Sequence, residues 1–192
     1  VLLEPISGVN LLPQTAVRYA PFSVKNKLGL IGMSGGAMNV SSKLAAVSRG
    51  WSAATIILTV NRSNSSGDQI YDGLGGSGSV NEQPYGDGNW YDDFGSTVRQ
   101  SFAVGSTLVG DHIISLRSRN GQWNFNRDGI QVYSTTSNTF SFSKAGAATM
   151  APGGGPGNFI FYEVILAGVY LTDTELLAVT TYMSNRWRIP IT

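Results

Sequence analysis

Residues 82–96, EQPYGDGNWYDDFGS, gather aromatic rings and oxygen-bearing side chains in a segment too rich in glycine to be regular. Sugars offer apolar C–H faces and directional hydroxyls. A site for them therefore needs rings that stack, with carboxylates and amides that exchange hydrogen bonds. Tyr85, Asp87, Asn89, Trp90, Tyr91, Asp92 and Asp93 supply both, and are the candidate sugar-binding residues. The competing structural use is that the rings tuck under the loop while the carboxylates stay solvated. Asp87, Asn89 and Asp92 also carry the hard oxygens that suit calcium. The spacing Asp87, Asn89, Tyr91 matches the start of an EF-hand loop, but the sixth position is Asp92 instead of glycine and the twelfth is Val98 instead of glutamate. Calcium is thus an expectation carried by ligand type alone. A second aromatic-polar tract, NGQWNFNRDG, sets Trp123 and Phe125 beside Asn124, Asn126, Arg127 and Asp128, and reads as two strands and their turn.

Catalytic motifs are weaker. GMSGG at 32–36 satisfies the Gly-x-Ser-x-Gly elbow, yet that mechanism needs a histidine base and an α/β sheet. The sole histidine, His112, falls in a strand-like run, so a glycine-rich hairpin is the better reading. GLGGSG at 73–78 fits a dinucleotide fingerprint only as a string, because no helix follows to hold a pyrophosphate; a mobile loop is expected. Glycoside hydrolysis needs two facing carboxyl groups. The four glutamates, Glu4, Glu82, Glu163 and Glu175, are too scattered to share a strand face, and Asp92 and Asp93 point to opposite sides if extended. The expectation is a protein that is not an enzyme.

Composition narrows the partners. With 13% charged residues and a formal net charge of +1, no strong field recruits nucleic acid or an anionic membrane. The chain has no cysteine, hence neither disulfides nor thiolate zinc sites. No apolar run reaches the roughly 20 residues that span a bilayer. A length of 192 residues with 42% hydrophobic and 10% aromatic content supports one domain over 1–192, with 1–40 as a lead-in of open placement. The chain starts at Val1 without methionine or signal-peptide pattern, as a processed product or piece of a longer chain would. Sequons begin at Asn39, Asn61 and Asn64 and decide nothing about origin.

The elements that must position these groups are short strands. TAVRYAPF, with Pro21 inside it, suits an edge strand or lead-in, and WSAATIILTV a buried central strand. STVRQSFAV, DHIISLRS, NFNRDGIQVYS with Asp-Gly at its turn, and NTFSFS with Phe140 and Phe142 on one face follow as strands. FIFYEVILAGVYL reads as one long strand or two joined at Gly168. One helix closes the chain. Thr172 and Glu175 have capping-box spacing, Leu171 and Leu176 can form a hydrophobic staple, and Leu176, Val179, Thr180, Met183 and Trp187 share one helical face. Pro190 stops it.

Two tracts carry a family resemblance. DHIISLRSRNGQWNFNRDGIQV resembles the strand–turn–strand of laminin-G-like and pentraxin-like domains, and GNFIFYEVILAGVYLTDTELLAVTTYMSNRW resembles the close of the same concanavalin A-like lectin/glucanase superfamily. The resemblance covers the C-terminal half. It implies an all-β, two-sheet antiparallel jelly-roll sandwich with one short C-terminal α-helix, of the kind found on phage virion appendages and bacterial surface or secreted proteins. The superfamily's Glu-x-Asp-x-x-Glu catalytic motif is absent. The function expected is a non-catalytic lectin-like module of a virion or cell surface that binds a glycan or host receptor. The alternative is a structural or decoration domain contacting other virion or surface proteins, with a glycoside or serine hydrolase third. Membrane insertion and nucleic acid are not expected, and homo-oligomerisation stays open.

Overall fold

The computed structural model describes residues 11–13, 20–24, 27–32, 38–40, 48, 50–62, 69–77, 81–104, 108–143, 149–150 and 159–192, with side chains described outside 11–40, 149–150 and 159–161. Thirteen strands are described: β1 (Leu11–Pro13), β2 (Ala20–Val24), β3 (Lys27–Gly32), β4 (Met38–Val40), β5 (Ala53–Arg62), β6 (Tyr71–Asp72), β7 (Asn89–Asp92), β8 (Gln100–Ala103), β9 (Gly110–Arg119), β10 (Gln122–Arg127), β11 (Ile130–Thr135), β12 (Thr149–Met150) and β13 (Phe159–Ala167). The C-terminal helix α1 spans Asp173–Trp187. Every strand pairing is antiparallel. The main sheet runs β11-β10-β9-β5-β13-β3-β2, beside a four-stranded sheet β1-β4-β12-β6 and the β7-β8 hairpin. This is the all-β fold with one C-terminal helix that the residue pattern implied.

The apolar run of β5 lies fourth in the seven-stranded sheet and is buried on both faces, which explains why it is continuous instead of alternating. Its Ala54, Ile56, Leu58 and Val60 meet Tyr71 of β6, Trp90 of β7 and Phe102 of β8, with Ile114, Leu116, Trp123 and Phe125. The layer facing the main sheet is therefore divided between the four-stranded sheet and the hairpin. On the opposite face, Ile57 and Ile113 lie under Leu176, Met183 and Trp187 of α1. Burying each of these large apolar side chains contributes roughly 1.5–3 kcal/mol.

The helix ends as its sequence requires. Glu175 N donates to Thr172 Oγ1 and Thr172 N to Glu175 Oε2, the reciprocal bonds of a capping box. The terminus is closed by Arg188 in the left-handed conformation, φ 57°, whose N–H bonds Ser184 O. Strand β13 ends at Ala167, before Gly168. A register shift between Phe161 and Glu163 turns both Tyr162 and Glu163 toward the helix. There Tyr162 stacks on Trp187 at 5.0 Å between centroids, and Glu163 Oε2 accepts from Trp187 Nε1 at 2.8 Å.

Other expectations fare differently. Pro21 sits in β2, at the sheet edge, and Asp128–Gly129 form the two-residue turn between β10 and β11 with φ of 51° and 88°. NTFSFS is not a strand beyond one bridge, Ser96 to Phe140. Phe140 and Phe142 do share a face, stacked at 5.9 Å, held by burial against the core instead of a ladder.

Candidate functional site

Strand β7 has the burial alternation of a half-buried strand, with Trp90 and Asp92 inward and Asn89 and Tyr91 toward solvent. Its partner β8 places Phe102 opposite Trp90 and the small Ser101 and Ala103 opposite Tyr91 and Asn89. Tyr91 and Asn89 thus stand above a low outer floor. The chain before β7 is tied to it by Glu82 N to Tyr91 O and Tyr91 N to Glu82 O, at 2.9 and 2.8 Å, and by Tyr85 N to Asn89 O at 2.8 Å. Gly88 closes the turn at φ 83°, donating to Tyr85 O. Tyr85 comes to the same surface, 47% exposed, edge-on to Tyr91 at 6.1 Å.

Asp87 organises this surface. Its Oδ2 accepts from Tyr91 OH at 2.7 Å and Asn89 Nδ2 at 3.0 Å, and its Oδ1 accepts from Asn89 N at 2.8 Å. The Tyr91 hydroxyl and then the Asn89 amide hold its carboxyl below the ordinary carboxylate value. The Arg99 guanidinium lies over the Tyr91 ring at 4.8 Å. Arg99, just before β8, is a member of the surface that motif reasoning passed over; the alternation of exposed Arg99 and Ser101 with buried Gln100 and Phe102 carries its signal.

Beneath the surface, Trp90 is fully buried, 4.7 Å from Phe125. Asp92 is equally buried. Its Oδ2 accepts from Tyr71 OH (2.5 Å), Gln83 Nε2 (2.6 Å) and Trp90 Nε1 (3.0 Å), and its Oδ1 from Phe94 N (2.7 Å). Burial pushes this carboxyl up to about 7 despite those donors. Asp93 is 1% exposed and accepts at Oδ2 from Ser77 N and Oγ.

Three of the seven sugar candidates are therefore corrected. Trp90, Asp92 and Asp93 face the core, where no sugar reaches them, because strand alternation and the donors of Tyr71, Gln83 and Ser77 draw them inward. Tyr85, Asp87, Asn89 and Tyr91 are brought together outside. The calcium set Asp87, Asn89 and Asp92 does not fit either. Asn89 and Asp92 lie on opposite faces of β7, and both Asp92 oxygens already accept. Among the described residues no group of three or more acids or histidines converges on a metal position.

Over its described residues 73–77, the glycine-rich GLGGSG is tied to the segment after β7 by backbone hydrogen bonds and a close approach. Gly76 N donates to Ser96 O and Gly95 N to Leu74 O, and a Cβ on Gly75 would lie 2.0 Å from Asp93 O. His112 Nδ1 and Asp128 Oδ2 share a bond of 2.7 Å, and Asp128 Oδ1 accepts from Ile113 N, so the pair fastens the β10–β11 turn to β9. Ser34 of GMSGG lies outside the described residues.

With these features in place, the fold is that of an antiparallel β-sandwich. No protein-family model matches the chain, and no curated protein matches it. Solved structures share its architecture. The binding domain of botulinum neurotoxin serotype C1 aligns with TM-score 0.64 and 10% identity over 93% of this chain and 49% of that one. A structure of botulinum neurotoxin type C, which depends on two ganglioside molecules to enter cells, gives 0.60 and 10% over 93% and 48%. A Trypanosoma rangeli sialidase mutant displaying trans-sialidase activity gives 0.56 and 14% over 89% and 30%. The chain spans about half the length of the toxin binding domains. At such identities the likeness establishes the fold.

Proposed function

We propose that the chain is a non-catalytic carbohydrate-binding module of the concanavalin A-like type, displayed on a virion appendage or cell surface, that engages a glycan receptor through the outer face of β7–β8. The observation that carries this reading is the arrangement of Tyr85 and Tyr91 beside Asp87 and Asn89 on a surface braced from within by Trp90 and Asp92. Aromatic edges and faces offer contact to sugar C–H groups, and the Asn89 carbonyl and the Arg99 guanidinium offer polar partners for hydroxyls. Further support comes from the C-terminal motifs, whose helix docks as the resemblance implied, and from the ganglioside interaction of the neurotoxin with the same architecture.

The test is a glycan array probed with the whole chain and its Tyr85→Ala variant. Selective binding that falls about tenfold or more in the variant, with an unchanged melting temperature, supports the module. A folded chain that binds no glycan contradicts it.

A further inference from the structure

Tyr170, between β13 and α1, marks a second polar-aromatic patch, on the helix-bearing face of the main sheet and away from the β7–β8 hairpin. Arg117 and Arg119 of β9 project on this face, with Asn124 and Gln122 opposite them on β10. Their guanidinium carbons lie 4.9 and 4.4 Å from the Tyr170 ring centroid. Arg117 is buried and gives Nη1 to Leu171 O and to Asp173 Oδ1. Arg119 is exposed and gives Nε and Nη2 to Gln122 Oε1, at 3.1 and 2.6 Å.

These bonds orient the amides. Arginine only donates, so Gln122 must turn its oxygen toward Arg119 and its Nε2 away. Asn124 Oδ1 accepts from Tyr170 OH at 2.5 Å, and Asn124 Nδ2 donates to Gln131 Oε1 at 2.7 Å, which leaves Gln131 Nε2 facing out. Among the described residues, the outward polar atoms of Arg119, Gln122 and Gln131 are thus donors. The patch also holds one carboxylate, Asp173, which is 92% exposed; its Oδ1 pairs with Arg117 at 2.6 Å and balances that cation, so Arg119 carries the remaining positive charge. Set against the outward atoms of Arg119, Gln122 and Gln131, a neutral hydroxyl keeps a proton without an acceptor, whereas a carboxylate or sulfate presents acceptors alone. A polyphosphate chain is a poor match, since two of the three outward donors are neutral amides and the net charge is only +1.

We infer that the Tyr170 patch binds the acidic substituent of a glycan, a carboxylate or sulfate borne on a sugar ring, with Arg119 as its cation, Gln122 and Gln131 as flanking donors and Tyr170 as the apolar wall. The sugar scaffold rests on the carbohydrate-binding reading; the preference for an acid rests on the donor pattern.

Titration calorimetry with the whole chain tests it, using a sialylated oligosaccharide, a sulfated oligosaccharide, and their carboxyl-reduced and desulfated counterparts. The acidic form of at least one pair binds about tenfold more tightly than its neutral counterpart, and Arg119→Ala removes that difference. Gln131→Glu, which places a negative charge among the donors, weakens the acidic ligand further, while Tyr85→Ala retains the difference. The two arms tell carboxylate from sulfate. Equal binding of acidic and neutral forms, or a preference that survives in folded Arg119→Ala, overturns the inference. If neutral-glycan binding vanishes in Tyr85→Ala while Arg119→Ala changes nothing, this inference fails and the β7–β8 reading stands. The reverse pattern sinks that reading and keeps this one.

Discussion

Tyr71 donates its hydroxyl to Asp92 Oδ2 at 2.5 Å, so the edge of the four-stranded sheet is bonded inside the core to the strand that carries the candidate site. No ion pair with Asp92 is found among the described residues, and the neighbouring Asp93 carboxylate adds to the upward push of burial.

Stability should therefore depend on pH in an unusual direction. Burial raises the Asp92 carboxyl from an ordinary value near 4 to about 7, so folding favours its protonated form. That contribution is complete below about pH 4 and is lost as pH rises through 7. The shift corresponds to on the order of 4 kcal/mol. Thermal melts should show the melting temperature falling between pH 6 and pH 8.5. Asp92→Asn should flatten the curve in that window and start from lower stability, because its amide N–H₂ meets donors. A melting temperature that rises from pH 6 to 8.5 contradicts this account of Asp92.

Trp90→Ala separates anchoring from contact. Removing a fully buried indole that packs on Phe125 should cost roughly 3–5 kcal/mol in urea unfolding. Tyr85→Ala, at a side chain nearly half exposed, should change stability by less than about 0.5 kcal/mol. An unfolding midpoint unmoved by Trp90→Ala would return that ring to the surface.

What the sequence made legible follows from the range of the interactions. The helix was readable because its signals are local: Thr172 and Glu175 are three residues apart, and the buried Leu176, Thr180, Met183 and Trp187 repeat at helical spacing. Strand β5 was readable because both its faces are covered, leaving an apolar run. The candidate site was readable in composition but not in orientation. Asn-Trp-Tyr-Asp does alternate, yet two consecutive acids, Asp92 and Asp93, look solvated until Tyr71, Gln83 and Ser77 bring donors from up to 21 residues away. The contacts of GLGGSG were hidden for the same reason, since the approach of the Asp93 backbone to Gly75 is a tertiary fact.

Gly75→Ala tests that close approach. A Cβ there would fall 2.0 Å from Asp93 O and 2.4 Å from its Cγ, so the loop or the strand must move. A loss of about 1–3 kcal/mol in chemical unfolding is expected. A neutral effect would show that the two segments separate freely.

Docking of the helix turns on Trp187, which stacks on Tyr162 and donates to Glu163. Trp187→Phe keeps a ring but loses the donor and leaves Glu163 Oε2 to Arg186 alone, at 3.2 Å. About 1–3 kcal/mol should be lost, and Glu163→Gln should cost less than Trp187→Ala at roughly 3–5 kcal/mol. Equal effects of the three variants in equilibrium unfolding would contradict this ordering.

The central claim is that the outer face of β7–β8 holds a glycan. The most direct measurement is a chemical-shift map of the isotope-labelled chain titrated with the strongest array ligand. Shifts should concentrate at Tyr85, Asp87, Asn89, Tyr91, Arg99 and Ser101. Saturable binding whose shifts leave those residues untouched would contradict the account.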